Sequence, residues 1–276
     1  MALRSYIHTS FDPRRIPGLH SWWDAADSAS VTLDSGRVSQ LSDKSGNARH
    51  LTNTTSGSTQ PSYVTAGRNG LNVARFAAAS VQRLSVPSST ATYKFLHDGT
   101  PLWWISANTF GTVSDPATIY ALFANQTGTS SQVGTTFFFD DRSGVGNNAA
   151  NYGVFTGSGA SVNTVSGSSI IASYQNILTP NSILVSEALV DAGNATASSR
   201  LLLRVNGGSG ISANTSTASP STASAFGNFT VGSTSDFNGP LQGDICELMF
   251  FSQQPTAAAR DLIRRYLGAK WGVAVA

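Results

Sequence analysis

Short apolar runs alternate with clusters of Gly, Ser, Asn and Thr along the whole chain. Segments 101–106 (PLWWIS), 119–123, 135–139, 182–186, 201–205, 229–232 and 244–251 have the length and apolar content of buried strands. Turn chemistry bounds them at Asp98-Gly99, Asp141-Arg142-Ser143-Gly144, Asn206-Gly207-Gly208 and Asn238-Gly239-Pro240. Many short strands with no helical periodicity between them predict a sandwich or jelly roll, not a parallel α/β sheet. Two stretches rich in Ser, Gly, Thr and Ala, 157–169 and 207–224, read as long loops.

One helix is predicted, near the C-terminus. Pro255 is followed by Thr256, a side chain suited to an N-cap. Leu262, Ile263, Tyr266 and Leu267 then recur at helical spacing and form one apolar face. Arg260, Arg264 and Arg265 are expected to point away from that face, with Asp261 pairing to Arg265 one turn on. Lys270 suits the negative end of the helix dipole, and Gly272 provides a stop. Residues 1–15 precede the pattern and read as an N-terminal arm, leaving 16–276 as the folded domain. Within the arm, Arg4, Tyr6, Phe11, Arg14 and Arg15 are the candidate attachment residues.

Composition narrows the function. Charged residues make up 12% of the 276 residues, about half the usual ~25%, so the polar surface is carried by Ser, Thr, Asn and Gln. The net charge of +2 rests almost entirely on arginine, which favours fixed forked hydrogen bonds over a diffuse phosphate-binding field. No nucleic-acid partner is expected. The absence of a run of about 18 apolar residues argues against a membrane span. The N-terminus lacks the apolar core of a signal peptide, and Cys246 is a lone cysteine inside an apolar run, so assembly in a reducing cytoplasm is expected.

The stretch SWWDAADSAS, residues 21–30, poses the main chemical question. Tryptophan faces and paired acids are what a sugar-handling site uses. Alternatively, Trp22 and Trp23 face opposite ways on a strand, one into the core and one over an edge or the helix, while Asp24 and Asp27 open a turn. The structural reading is preferred. His20 beside Trp22 reads as a surface or half-buried residue, not a base. No His/Cys pair has zinc spacing and no serine lies in a nucleophile elbow. Asp140-Asp141 is the best candidate for calcium, with Asp34 and Asp43 a second pair. Asp236-Phe237-Asn238, and the segment beginning at Asp140-Asp141, have the acid, amide and aromatic groups of a carbohydrate site.

Several pieces in order carry a family resemblance. They are Ile16-Pro17-Gly18-Leu19, Trp23-Asp24-Ala25-Ala26-Asp27, the segment 38–47 (VSQLSDKSGN), Gln60-Pro61-Ser62-Tyr63, Asn69-Gly70 and Val73-Ala74-Arg75-Phe76. Later come 201–207 (LLLRVNG), 243–248 (GDICEL) and 266–272 (YLGAKWG). Together they resemble the concanavalin A-like lectin/glucanase superfamily, in the laminin-G-like form found in bacteriophage structural proteins. The resemblance implies a two-sheet antiparallel jelly roll with one short C-terminal helix. It also implies that Trp23 and Trp271 lie near one another. Ala259 stands where such a helix often carries an acid, so the capping box is incomplete.

The glucanases of that superfamily place acids at alternate positions of one strand. Here Glu187 and Glu247 stand in no such motif, and on a regular strand Asp244 and Glu247 would face opposite ways. The expectation is therefore a non-enzymatic virion protein on the exterior of a tailed-phage particle, decorating or cementing capsid or tail in multiple copies. The alternative is a glycan-binding lectin module of a fibre or tail tip. A polysaccharide hydrolase comes third.

Overall fold

The computed structural model of the protein describes residues 11–89, 91–96, 100–109, 136–140, 151–155, 159–166, 168–174, 181–191, 194–212, 228–233 and 240–276. The strands in chain order are β1 (Leu19–Asp24), β2 (Val31–Asp34), β3 (Arg37–Leu41), β4 (Leu51–Thr52), β5 (Ser62–Arg68), β6 (Leu71–Phe76), β7 (Leu84–Ser85) and β8 (Leu102–Asn108). Then follow β9 (Thr136–Asp140), β10 (Asn151–Phe155), β11 (Gly159–Ser166), β12 (Ser168–Tyr174), β13 (Leu184–Val190), β14 (Leu201–Val205), β15 (Ile211–Ser212), β16 (Thr230–Val231) and β17 (Gly243–Phe251). The helix α1 spans Ala257–Trp271.

Every pairing is antiparallel, in two layers. In the first, β1 and β6 share one edge of β17, and β8, β13, β14 and β15 follow on the other. In the second, the order is β2, β3, β4, β7, β16, β9, β10, β11, β12. The layers join where β5, the partner of β6, meets β3 at Arg37 and Ser62. Two hairpins turn on two residues each with positive φ, Ser35-Gly36 (52° and 80°) and Asn69-Gly70 (47° and 75°). Such turns match the twist of the strands they join, and glycine takes the second position without steric cost.

The core between the layers centres on an aromatic stack. Trp23 lies parallel to Phe229 at 5.7 Å, Tyr93 stacks on the same ring at 4.4 Å, and Phe250 meets Phe229 edge-on at 5.2 Å. The Trp23 indole N–H, buried with the ring, donates to the carbonyl of Arg49. A second apolar cluster lies on the other side of the first layer, under α1. It contains Trp22, Trp103, Ile105, Met249, Phe251, Ile263, Leu267 and Trp271. β8 and β17 are consequently buried along their whole length.

Several expectations change. Trp271 does not join Trp23. Period-2 alternation sends Trp23 between the layers and Trp22 toward α1, so Trp22 is the tryptophan that meets Trp271. Segment 157–169, expected as a loop, contains all of β11 and the start of β12, which form a hairpin. Its β-branched Val162, Thr164 and Val165 suit a strand, whereas the surrounding Ser and Gly mimic a loop composition. Strand 119–123 and most of 207–224 lie outside the described residues, although β15 falls inside the latter.

The aromatic stack yields the first prediction. Trp23→Ala should lower unfolding stability by about 3–5 kcal/mol, the usual range for deleting a buried large aromatic. Urea titration of the wild type and variant measures it. A loss below about 1 kcal/mol would mean that the stack is not central to the core.

Candidate functional site

The chemically capable side chains gather on the outer face of the first layer, beneath α1. Two β-bulges put them there. In β1 the register with β17 shifts between Leu19 and Ser21. In β17 the register with β8 shifts between Ile245 and Glu247. The second bulge turns Cys246 and Glu247 to the same side, and the pattern resumes with Leu248 inward and Met249 outward. Asp244 and Glu247, expected on opposite faces of a regular strand, therefore share the helix face.

Glu247 is fully buried and receives four donors. Its Oε1 accepts from the Trp22 indole at 2.8 Å and the Tyr266 hydroxyl at 3.1 Å. Its Oε2 accepts from Lys270 Nζ at 2.7 Å and the Trp271 indole at 3.1 Å. Asp24, directly across from Glu247, bonds Lys270 at 2.8 Å through one oxygen and Lys44 at 3.0 Å through the other. Lys44 continues to Asp27 at 2.6 Å and lies over the Trp22 ring. Burial, together with the charge of Asp24, raises the Glu247 carboxyl above its usual range. Burial opposes charge on Lys270, but Glu247 and Asp24 outweigh it and hold the ammonium above its usual range.

A second cluster repeats the plan on β8 and β13. Glu187 Oε2 accepts from the Trp103 indole at 2.9 Å, and Oε1 binds Arg264 through Nε at 2.8 Å and Nη2 at 2.7 Å. In each case a strand glutamate holds a strand tryptophan and a helix cation. A third carboxylate, Asp244, pairs with Arg68 and Arg75, both at 2.6 Å. Arg264 thus points to the sheet and not away from it as expected, while Lys270 sits in the last turn of the helix, as expected. Both are buried against the sheet, because a carboxylate waits beneath each.

The SWWDAADSAS stretch is accounted for by this arrangement. Trp22 and Asp24 face the helix, Trp23 anchors the core, and the Asp27 side chain accepts from the Ala29 N–H to open a 3-10 turn over Ser28–Ser30. Asp43 is a structural loop residue. Its oxygens accept from the N–H groups of Trp22, Ser45 and Arg49 and from the Ser45 hydroxyl.

His20 is buried and belongs to a proton-ordered chain. The Thr92 carbonyl can only accept, so Nε2 carries the proton, at 3.1 Å. Nδ1 then accepts from the Ser21 hydroxyl at 2.7 Å, which accepts from Tyr93 at 2.6 Å. Burial first, and Arg49 second, push the imidazole down to about 3. Ser21 and Tyr93 are sealed from solvent, so the chain has no access to a substrate.

The proposed surface residues are placed as follows. Phe11 packs on Tyr266 with ring centres 5.2 Å apart. Arg14 is exposed and paired with Asp12 at 2.8 Å, and Arg15 is exposed. Asp140 ends β9, its backbone opposite Asn151 and Thr230. Arg4, Tyr6, Asp141, Asp236, Phe237 and Asn238 lie outside the described residues. Among the described residues, no three His, Cys, Asp or Glu side chains gather as a metal site would need. No described helix is long and apolar enough to cross a membrane. Cys246 is buried, and burial pushes its thiol well up, as an inert core thiol requires.

Comparison with known proteins places the architecture. The fold is an antiparallel β-sandwich with one C-terminal helix. Trypanosoma rangeli sialidase, solved with the inhibitor DANA, matches at a TM-score of 0.52 and 10% identity, over 95% of this chain and 36% of that one. NanB sialidase from Streptococcus pneumoniae matches at 0.46 and 12% identity, over 67% of this chain and 26% of that one. The CBM40 domain of a Ruminococcus gnavus IT-sialidase matches at 0.44 and 13% identity, over 64% of this chain and 86% of that one. The chain thus spans about a quarter to a third of the two sialidases. No family model matches, and no curated protein matches by sequence.

The clusters beneath the helix and the buried imidazole each support a prediction. Lys270→Met should cost about 3–5 kcal/mol, since it leaves Glu247 and Asp24 buried without their shared cation. Adding Glu247→Leu should recover part of that loss, as a double-mutant cycle in urea would show. Strict additivity would refute the coupling. For His20, the unfolded value near 6.5 lies above the folded value of about 3, so the unfolded chain takes the proton first as pH falls. Its contribution is complete above about pH 6.5 and is lost toward pH 3, at up to about 1.4 kcal/mol per pH unit. His20→Asn should flatten the stability curve in that window. Identical slopes would rule out the buried neutral imidazole as the cause.

Proposed function

We propose that the chain is a non-catalytic glycan-binding module. The observation that carries this reading is the fate of Glu187 and Glu247, the only glutamates in the sequence. Both are sealed beneath α1, and their oxygens are occupied by indole, hydroxyl and cationic donors. A glycosidase needs two carboxyl groups flanking an open cleft, one kept protonated for the leaving group. Here the carboxylates hold the scaffold together, which supports binding over hydrolysis. The surface, poor in charge and rich in Ser, Thr and Asn, suits neutral hydroxyl recognition.

Of the two roles expected from the sequence, glycan recognition is the better supported. The fold is shared over 95% of the chain with a sialidase, an enzyme of glycans. Placement on a phage particle rests on the sequence resemblance alone and is part of the proposal as the setting in which such a module would act.

The test applies the full chain to an array of bacterial and animal glycans, with and without EDTA, and follows release of reducing ends in the same samples. Retention of a subset of glycans without release is the expected result. Loss of retention with EDTA would add a calcium ion to the site and direct attention to Asp140 and Asp141. Release of sugar would overturn the non-catalytic reading. An empty array, combined with co-sedimentation with phage particles lacking the protein, would return the decoration role to first place.

A further inference from the structure

The outer face of the first layer carries more positive charge than its carboxylates balance. Arg204 on β14 stands directly across from Glu187 on β13. It makes no ion pair with it, because Trp103 and Arg264 already occupy both Glu187 oxygens. Arg204 Nε is shut off from solvent and has no hydrogen-bond partner. Leaving a guanidinium N–H buried and unbonded is costly, so an unbonded one points to a missing acceptor.

Arg260 lies alongside. One of its N–H groups donates to the Pro255 carbonyl at 2.6 Å, its one side-chain hydrogen bond among the described residues. Burial holds its guanidinium below the usual range, opposed by Glu187, and the nearby charges of Arg204 and Arg264 add to the lowering. Glu187 thus has Arg264 bonded to it, Arg204 across the strand from it and Arg260 within reach of its charge. The next acid, Asp261, bonds Arg264 at 3.1 Å and is also taken by Arg265 at 2.6 Å.

The floor of this place is apolar and close to bare backbone. Leu189 and Leu202 are cross-strand partners on the same face. A Cβ on Gly210 would stand 2.3 Å from Leu202 Cδ1 and 3.2 Å from Arg204 Nε, so glycine is what lets both side chains lie flat there. Arg204 and Arg260 are each half-buried as residues, with Arg204 Nε on the covered side. A planar fork with free N–H groups is the side chain best matched to two oxygens of one anion.

We propose that Arg204 and Arg260 form a receptor for a single oxyanion group and that the group is the carboxylate or sulfate of an acidic saccharide. The saccharide part rests on the glycan-binding reading above. The oxyanion part stands on the unmatched guanidinia themselves. Leu189 and Leu202 would contact the C–H face of the sugar ring while the forks hold its acid group.

The test compares wild type, Arg204→Gln, Arg260→Gln and, as a control on the same helix, Arg265→Gln. Each is applied to a panel of uronate-, sialate- and sulfate-bearing oligosaccharides beside their neutral parents. Each is also melted in sodium sulfate and in sodium chloride of equal ionic strength. Arg204 has no partner to lose, so Arg204→Gln should melt at or above the wild-type temperature, which separates binding from folding. The expected result is retention of acidic over neutral members by at least tenfold. Arg204→Gln and Arg260→Gln should each lose at least tenfold, and Arg265→Gln less than twofold. Acidic glycans held equally by all four proteins would overturn the site while leaving glycan binding intact. A sulfate-dependent rise in melting temperature that needs both arginines, with no glycan retained, would keep the anion receptor and overturn the saccharide as its ligand. No response to either probe would overturn both parts.

Discussion

The burial of Glu247 beneath α1 is the constraint on which the rest of the structure depends. An ionised carboxylate removed from water is stable only when its lone pairs are filled and its charge is countered. Here the four donors come from two parts of the chain remote from each other, Trp22 near the start and Tyr266, Lys270 and Trp271 at the end, around a glutamate on the central strand. Satisfying that one group sets the first strand, the central strand and the last helix relative to one another. The bulge in β17 is the backbone device that makes it reachable, because it turns Glu247 outward while keeping Ile245 and Leu248 inward.

The Glu187 cluster shows that the plan is used twice. Trp103 and Arg264 stand to Glu187 as Trp22 and Lys270 stand to Glu247. Two such points, at Arg264 and Lys270 and thus more than a full turn apart on the helix, fix its rotation as well as its position, which apolar packing alone would leave looser. An aromatic stack does the corresponding work on the inner face. With both faces of the first layer covered, β8 and β17 are buried on each side, and Glu187, Asp244 and Glu247 are taken up in pairs with tryptophan, arginine and lysine side chains. At the periphery of that face Arg204 and Arg260 stand out, because neither forms an ion pair among the described residues.

Much of this was readable in the residues. The turn at Asn206-Gly207, the N-cap Thr256, the stop at Gly272 and the inert Cys246 follow from local chemistry, and each sits as local chemistry dictates. The opposite facing of Trp22 and Trp23 follows from strand periodicity. The β11–β12 hairpin was hidden, because its Ser and Gly content matches that of loops and only spaced Val and Thr mark it. The two helix cations were hidden more deeply. Arg264 and Lys270 lie at positions any surface helix would give to a charged residue, and nothing near them in sequence announces a carboxylate below.

By itself, then, the sequence determined the class of fold, an antiparallel β-sandwich closed by one C-terminal helix, because strand and helix periodicities and turn residues act over a few positions. It also determined that the two tryptophans face opposite ways, but not which of them turns inward. Only the tertiary structure decided which acids meet which cations. Those pairs join residues up to 246 positions apart, Asp24 to Lys270, and depend on bulges that reverse the facing of a side chain. A periodic reading follows alternation along a strand and has no way to sense where alternation slips, and that slip is what brought Glu247 under the helix.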